Sequence, residues 1–198
     1  MTVAWRHRAW AVAAVTFAVL VVAAAVRASS GVFLLPVSTE FGWSRDVVAA
    51  AITVQLLLYG LMAPFAAALM ERFGIRPVAG TALVLLGLGT STATLAHAPW
   101  QLILCWGVLV GTGAGCLALV FGAMLANRWF VTRRGLVTGL FSAAYATGQL
   151  LFMPTLARVT LTSGWRTASL AVAVSTLVVL PFALIFIRDR PRDVGLIP

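Results

Sequence analysis

Long apolar stretches separated by short polar gaps form the main pattern of this 198-residue chain. A helix needs about twenty apolar residues to cross roughly 30 Å of hydrocarbon, and six stretches are of about that length. They cover residues 10–36, 47–70, 78–96, 100–126, 136–157 and 169–187. The pattern predicts an all-α integral membrane protein with six transmembrane helices, in a single transmembrane domain over residues 1–198.

The composition points to lipid as the solvent. Hydrophobic residues make up 62% of the chain and charged residues 10%, and a soluble domain of this size could not bury so much apolar surface. The first stretch lacks the short apolar core and cleavage site of a secretory signal, and five more spans follow it, so we expect it to be retained. The lipid bilayer is the first partner that the sequence predicts.

The arginines indicate the orientation. All fourteen basic residues are arginine, and their spread between spans favours membrane topology over nucleic-acid binding. Only Arg45, Arg158 and Arg166 lie in the intervening gaps on the other side. The positive-inside rule therefore places both termini in the cytoplasm, and we expect a plasma (cell) membrane location. Ten arginines lie on the predicted cytoplasmic side: Arg6, Arg8, Arg72, Arg76, Arg128, Arg133, Arg134, Arg188, Arg190 and Arg192.

Residues that could carry catalysis are scarce within the predicted spans. The five acidic residues all lie in gaps or in the tail, and both histidines lie near span ends. Cys105 and Cys116 are too far apart along one helix, at about 16 Å, to form a disulfide within it. We therefore expect no enzyme, no catalytic residue, no cofactor and no metal site.

Two spans carry polar side chains four residues apart. Gln55 and Tyr59 lie in the second span, and Tyr145 and Gln149 lie in the fifth. Residues at this spacing share a helix face, and a glutamine amide is costly among acyl chains. Both faces should therefore point inward, either as contacts between helices or as the lining of a water-filled cavity.

Arg27 is the one charge inside an apolar stretch. If the first helix continues to Pro36, Arg27 lies about 6 Å from the midplane and needs an anionic partner or water. If the helix breaks at residues 28–31, Arg27 is an end residue whose guanidinium reaches the membrane surface. Substrate or counter-ion binding, structural pairing and surface exposure all remain open from the sequence. The guanidinium fork suits a carboxylate in particular.

Glycines mark helix contacts and bends. Gly107, Gly111 and Gly115 follow one another at spacing four in the fourth span. Small residues on one face allow a neighbouring helix to approach closely, so these three predict a helix-packing surface. In the fifth span, Gly139, Gly148 and Pro154 mark positions where the helix can bend.

The second gap resembles a known loop. Residues 67–77 are similar to the connection between the second and third helices of major facilitator superfamily transporters, whose pattern is Gly-x-Leu-x-Asp-Arg-x-Gly-Arg-Arg/Lys. The matching residues are Leu69, Arg72, Gly74 and Arg76, and the departures are Ala67, Glu71 and Ile75. The residues also have a physical account, since arginines mark the cytoplasmic side and a glycine can adopt the positive φ of a tight turn.

Further segments are similar to one branch of that superfamily, the monocarboxylate porters and oxalate/formate antiporter-like proteins. They are residues 31–36, 40–45, 128–130, 133–135, 164–166 and 188–191, with Gly195. Two departures stand out. Phe152 and Met153 replace the glycine-proline pair of the antiporter motif, and Gly107 stands near the place of the arginine in the proton-coupling motif.

The resemblance implies a twelve-helix transporter of two six-helix halves, each an inverted three-plus-three repeat, with this chain as the amino-terminal half. It implies secondary transport of small organic anions such as monocarboxylates, bound at the midplane. The residues expected to line the substrate cavity are Arg27, Gln55, Tyr59, Tyr145 and Gln149. The residues expected to form a cytoplasmic gate loop are Glu71, Arg72, Gly74 and Arg76.

One half provides one wall of such a site. Transport is therefore expected to need a partner, either a second copy or a separate complementary six-helix half. Two alternatives remain open: a truncated or partial transporter with no activity alone, and a membrane interaction subunit that uses the same fold.

Overall fold

A computed structural model describes residues 3–130 and 133–189, with the backbone alone described for residues 3–8. Within these ranges the chain forms six long helical rods and no β-strand, which confirms the predicted all-helical class for this part of the chain. The rods are α1 (Val3–Phe41), α2 (Arg45–Phe73), α3 (Ile75–Ala93), α4 (Pro99–Trp129), α5 (Arg134–Ser163) and α6 (Trp165–Phe186).

Five helices, all except α3, are long and apolar enough to cross a membrane. Helix α3 has 19 residues, which corresponds to about 28 Å. It is the shortest of the six rods, and it begins with Ile75, Arg76 and Pro77 and ends with the polar run 90–92. The structure thus supports five of the six predicted spans by length and composition, and it shows the remaining one as the 19-residue helix α3.

Helix α1 continues without interruption through residues 28–31, so the alternative of a break there is wrong. Within this segment the Ser29 hydroxyl donates a hydrogen bond to the carbonyl oxygen of Val26 at 2.6 Å, so the hydroxyl has a partner inside the helix. Arg27 therefore lies inside the helix. It is about 3 Å along the axis from the midpoint of the apolar part, Ala9–Phe41.

Helix α4 is irregular along its length. Residues Ile103–Val110 form a π-helix, Gly111–Cys116 returns to α-helical geometry, and the rod bends at residues 117–118 before Leu119–Trp129. Glycines lower the helical preference of this region, and π-turns introduce an extra residue into a helix. The predicted row of glycines therefore lies on an irregular helix. The apolar pattern of the sequence did not predict this irregularity.

The helices pack in a pattern that repeats between the two halves of the chain. Helix α1 packs against α5 and α6, while α4 packs against α2 and α3, and α3 packs against α6. Exchanging the first three helices with the last three leaves this pattern unchanged. The last two helices of each unit are joined through one glycine in nearly the same conformation, Gly74 (φ 96°, ψ 159°) and Gly164 (φ 84°, ψ 158°). This arrangement fits a repeat of two three-helix units.

Contacts define two opposite ends of the bundle. At one end, Arg76 at the start of α3 and Arg128 in α4 both contact Asp189, which follows α6. At the other end, Glu40 in α1 contacts Arg166 at the start of α6. The first of these ends contains most of the arginines that the sequence predicts to be cytoplasmic. Arg190, Arg192 and the side chains of Arg6 and Arg8 lie outside the described residues.

Candidate functional site

Three side chains from α1, α2 and α5 meet at membrane depth. The Arg27 guanidinium donates a hydrogen bond to the Tyr145 hydroxyl. Its central carbon lies 4.5 Å from the ring centroid of Tyr59 and 5.7 Å from that of Tyr145. The guanidinium thus lies within cation–π distance of both rings, which partly offsets the cost of a charge in this apolar environment.

The hydrogen-bond donors of Arg27 that have no partner among the described residues determine which ligands this group of side chains can bind. A guanidinium has five N–H donors, and the structure shows it donating to one partner, Tyr145. Among the described residues, the one ion pair joins Arg166 and Glu40 at the end of the bundle, so no carboxylate neutralises Arg27 there. A positive charge with free donors in a low-dielectric region favours binding of an anion.

Helix packing places two of these three residues. A Cβ added at Gly148 would lie 2.7 Å from the Val21 carbonyl oxygen and 2.8 Å from the Ala24 Cβ. Glycine at position 148 therefore allows α5 to contact the backbone of α1, one turn from both Tyr145 and Arg27. The sequence analysis interpreted Gly148 as a position where the helix bends. It did not predict this close contact between α5 and α1.

The three glycines of α4 lie against α2 in the same way. A Cβ at Gly107 would lie 2.9 Å from the Val54 Cγ1, and one at Gly111 would lie 2.9 Å from the Gln55 backbone oxygen. At Gly115 the corresponding distance to the Tyr59 backbone oxygen is 3.0 Å. The close contact with α4 thus fixes the part of α2 that presents the Tyr59 ring to Arg27.

The two glutamines predicted to line the cavity are placed differently from the tyrosines. Gln55 is 2% exposed, and neither atom of its side-chain amide has a hydrogen-bond partner among the described residues. Gln149 is half-buried. The structure therefore brings Arg27, Tyr59 and Tyr145 together, whereas no hydrogen bond joins Gln55 or Gln149 to them in the described part of the chain.

The loop predicted to form a gate divides into an exposed part and a docked part. Glu71 and Arg72 are exposed at the end of α2, and the Arg72 guanidinium lies 5.3 Å from the ring centroid of its neighbour Phe73. Gly74 and Arg76 instead contact Asp189. The backbone N–H of Arg76 donates to Asp189 Oδ1 at 3.0 Å.

Gly74 is held by both its conformation and its neighbour. Its φ of 96° is in a region that glycine alone adopts readily, and an added Cβ would lie 2.6 Å from Asp189 Oδ1. The sequence analysis considered Asp189 only as part of the tail segment. It missed this contact because 113 residues separate Asp189 from Arg76.

A second cluster ties the opposite end of the bundle together. The Glu40 carboxylate accepts hydrogen bonds from the Trp165 indole N–H and the Arg166 guanidinium. Arg166 also donates to the Thr94 carbonyl oxygen at 3.2 Å, so α1, α3 and α6 are joined there. Sequence reasoning placed Glu40 and Arg166 in separate segments, although their opposite charges on one predicted side could have indicated the pair.

Comparison with known proteins gives a consistent family. The profile of the Major Facilitator Superfamily matches residues 15–198. Monocarboxylate transporter 11 of Mus musculus is 33% identical over 174 residues, which are 87% of this chain and 38% of that protein. Monocarboxylate transporter 7 of Homo sapiens is 26% identical over 183 residues, 90% of this chain and 35% of that protein.

A bacterial relative is also much longer than this chain. The uncharacterized MFS-type transporter YcxA of Bacillus subtilis (strain 168) is 25% identical over 186 residues, 92% of this chain and 45% of that protein. The chain therefore spans less than half the length of the curated relatives it matches. In the two monocarboxylate transporters, the matching part is the amino-terminal half.

Proposed function

Because this chain belongs to the major facilitator superfamily, we propose that it is the amino-terminal half of a membrane transporter for small organic anions such as monocarboxylates. In this proposal α1 to α6 all cross the plasma membrane as one half-fold, with both termini in the cytoplasm. The names of the relatives support transport, and those of the two monocarboxylate transporters support the substrate class.

The observation that carries the substrate proposal is the position of Arg27 within cation–π distance of two tyrosine rings. The rings and the Tyr145 hydroxyl hold the guanidinium in place, and its other donors are available for a carboxylate. A bidentate pair between a guanidinium and a carboxylate is among the stronger hydrogen-bonded contacts in proteins. We assign the lining of the same cavity to Gln55, Tyr59, Tyr145 and Gln149.

We assign the cytoplasmic gate to the loop of Glu71, Arg72, Gly74 and Arg76. The exposed position of Glu71 and Arg72 leaves both side chains accessible to a partner half. The docking of Arg76 on Asp189 holds the base of the loop. Transport that continues unchanged after both Glu71 and Arg72 are replaced by glutamine would contradict this assignment.

The full transport cycle requires a second half in this proposal. The partner is either a second copy of this chain or a separate complementary six-helix chain, because one half forms one wall of a midplane site. The test is uptake of labelled monocarboxylates into proteoliposomes that contain the chain with and without a complementary half. We expect uptake with the complementary half and none with the chain alone. Absence of uptake in both would favour the inactive half or the interaction subunit.

A charge variant tests the role of Arg27 in this assay. Arg27→Gln removes a charged donor, and a hydrogen bond to a charged group contributes about 1.5–3 kcal/mol, so we expect KM to rise by roughly 10- to 100-fold. The matched control is Arg158→Gln, which removes an exposed arginine from α5. Equal KM values for the two variants would show that Arg27 does not contribute to substrate binding.

A labelling experiment tests the cavity itself. In a background without Cys105 and Cys116, cysteines at positions 145 and 149 should react with a water-soluble thiol reagent. A cysteine at position 150 is the control, since Leu150 is 76% exposed on the apolar surface of α5 and should face lipid. Unreactive cysteines at positions 145 and 149 would contradict the cavity.

A further inference from the structure

Two helices, α3 and α4, each bring an arginine to the short segment after α6, and this segment contains a third arginine, Arg188. The Asp189 carboxylate accepts a hydrogen bond from the backbone N–H of Arg76, at the start of α3. The Asp189 carbonyl oxygen accepts one from the Arg128 guanidinium of α4 at 3.3 Å. The neighbouring Arg188 carbonyl accepts the indole N–H of Trp129 at 3.2 Å. These contacts bring the backbone of Arg76 and the guanidinium of Arg128 to residues 188–189, next to Arg188.

Positive charge exceeds negative charge in this cluster. Asp189 is the carboxylate at its centre, and in the described part of the chain it forms no ion pair with any of the three arginines. Its Oδ1 is used by a backbone N–H instead. Arg188 is exposed, and Arg76 and Arg128 are half-buried. The nearby Glu71 and Arg72 offset each other in charge, so the cluster keeps a surplus of cations.

Exposed apolar side chains lie on the end of α6, just before this cluster in the chain. The last two turns of α6 expose Phe182, Ile185 and Phe186 at 51%, 60% and 42%. Position 186 is two residues before Arg188, so charge and apolar surface adjoin at the end of a helix that is long and apolar enough to span a membrane. This combination matches the headgroup and the acyl chain of a single lipid.

We propose that Arg76, Arg128 and Arg188 form a binding site for the phosphate headgroup of an anionic phospholipid, with an acyl chain along Phe182, Ile185 and Phe186. The lipid comes from the leaflet at this end of the bundle. Clusters of basic residues beside membrane helices attract anionic lipids, with each arginine contributing a measurable increment. Inorganic phosphate shares the headgroup chemistry, but it does not use the apolar surface, so the lipid is the occupant.

The test measures which lipid stays bound. The chain is reconstituted in nanodiscs of equal phosphatidylglycerol and phosphatidylcholine, extracted in mild detergent, and analysed for retained lipid by native mass spectrometry. The test variant is the double substitution Arg76→Gln and Arg188→Gln. The contacts that the structure shows for these two residues use backbone atoms, so both contacts can remain. The matched control is Arg133→Gln with Arg134→Gln, which removes two exposed arginines from the same end.

We expect the wild-type chain to retain phosphatidylglycerol in preference to phosphatidylcholine. The test variant should weaken this preference by about fivefold for each arginine removed, and the control should leave it within twofold. Equal retention of the two lipids by the wild-type chain, or an equal loss in the control, would overturn the proposal. Displacement of phosphatidylglycerol by millimolar inorganic phosphate would also overturn it, because the site would then be one for free phosphate.

If the test variant does not fold, the wild-type chain still decides the question. An electrostatic headgroup site should lose its preference for phosphatidylglycerol as the salt concentration rises from 0.05 to roughly 1 M, since the Debye length falls from more than 10 Å to about 3 Å. A preference that does not change over this range would contradict a site formed by the arginines.

Discussion

Arg27 combines an unfavourable position with specific partners. A charged side chain near the middle of a membrane helix is costly by about 2.5 kcal/mol or more, and the two tyrosines supply ring faces and a hydroxyl acceptor in return. The stabilising contributions of these partners are smaller than the cost of a fully desolvated charge. Among the described residues, those that hold Arg27 therefore leave it with free hydrogen-bond donors, which the proposed carboxylate site requires.

The contact between Arg27 and the Tyr59 ring can be measured by a double-mutant cycle. Tyr59→Phe keeps the ring and Tyr59→Leu removes it, so the difference in unfolding free energy between these variants contains the cation–π contribution. We expect this difference to fall by about 0.5–2 kcal/mol when Arg27 is also replaced by glutamine. Denaturation in detergent, followed by circular dichroism, provides the measurement. A difference independent of residue 27 would show that the ring packs without binding the guanidinium.

Gly74 allows a second residue-scale prediction, because the chain contains a matched control. Gly74 and Gly164 have nearly the same backbone conformation, but an added Cβ meets Asp189 only at position 74. Gly74→Ala and Gly164→Ala should share the backbone strain, and Gly74→Ala should cost about 1–3 kcal/mol more because of overpacking. Thermal denaturation of both variants checks this. Equal losses would mean that Asp189 does not lie against Gly74 in solution.

The spacing of residues along single helices predicted much of the centre of the candidate site. It did not predict the contacts between residues that are distant in the sequence. The four-residue spacing of Gln55 with Tyr59 and of Tyr145 with Gln149 indicated two polar faces in advance. The structure then brings one tyrosine from each face to Arg27. The contacts of Asp189 with Arg76 and of Glu40 with Arg166 span 113 and 126 residues. Spacing along one helix contains no information about such pairs.

At the scale of helices, glycines determine how closely the rods approach. Gly148 brings α5 to the backbone of α1, and the row in α4 brings that helix to α2. These are equivalent contacts in the two three-helix units, because exchanging the units converts the α1–α5 pair into the α4–α2 pair. The apolar stretches predicted where the helices lie, because apolar side chains show which segments can sit in hydrocarbon. They contain no information about the backbone hydrogen-bond pattern or about polar residues that extend a helix. The π-helix at Ile103–Val110 and the polar ends of the helices were therefore not predicted.

Helix α5 contains its own control for the importance of close packing. Gly148→Ala places a Cβ 2.7 Å from the Val21 carbonyl oxygen, whereas Gly139→Ala meets nothing within 4 Å. We expect Gly148→Ala to destabilise the fold by about 1–3 kcal/mol, and Gly139→Ala to be neutral or stabilising by up to about 1 kcal/mol. Both can be compared by their apparent melting temperatures in detergent. If both variants behave alike, the close α1–α5 contact is not required for stability.

At the scale of the whole molecule, the two ends of the bundle differ in chemistry. One end joins α3, α4 and the segment after α6 through backbone groups and arginines, and the other joins α1, α3 and α6 through the Glu40–Arg166 ion pair. Helices α3 and α6 take part in both clusters. They can therefore hold the half together as a unit while α1, α2 and α5 present the site around Arg27.

The orientation of these ends is the last prediction, and it follows from the arginines. Because arginines concentrate at the Asp189 end, the positive-inside rule places that end in the cytoplasm. In a background without Cys105 and Cys116, we introduce Gly135→Cys at the Asp189 end or Thr162→Cys at the Glu40 end. Both positions are exposed. A membrane-impermeant thiol reagent should label position 162 in intact cells and position 135 only after permeabilisation. The reverse result would place Glu71 and Arg72 outside the cell, and the proposed gate would then close the external side of the cavity.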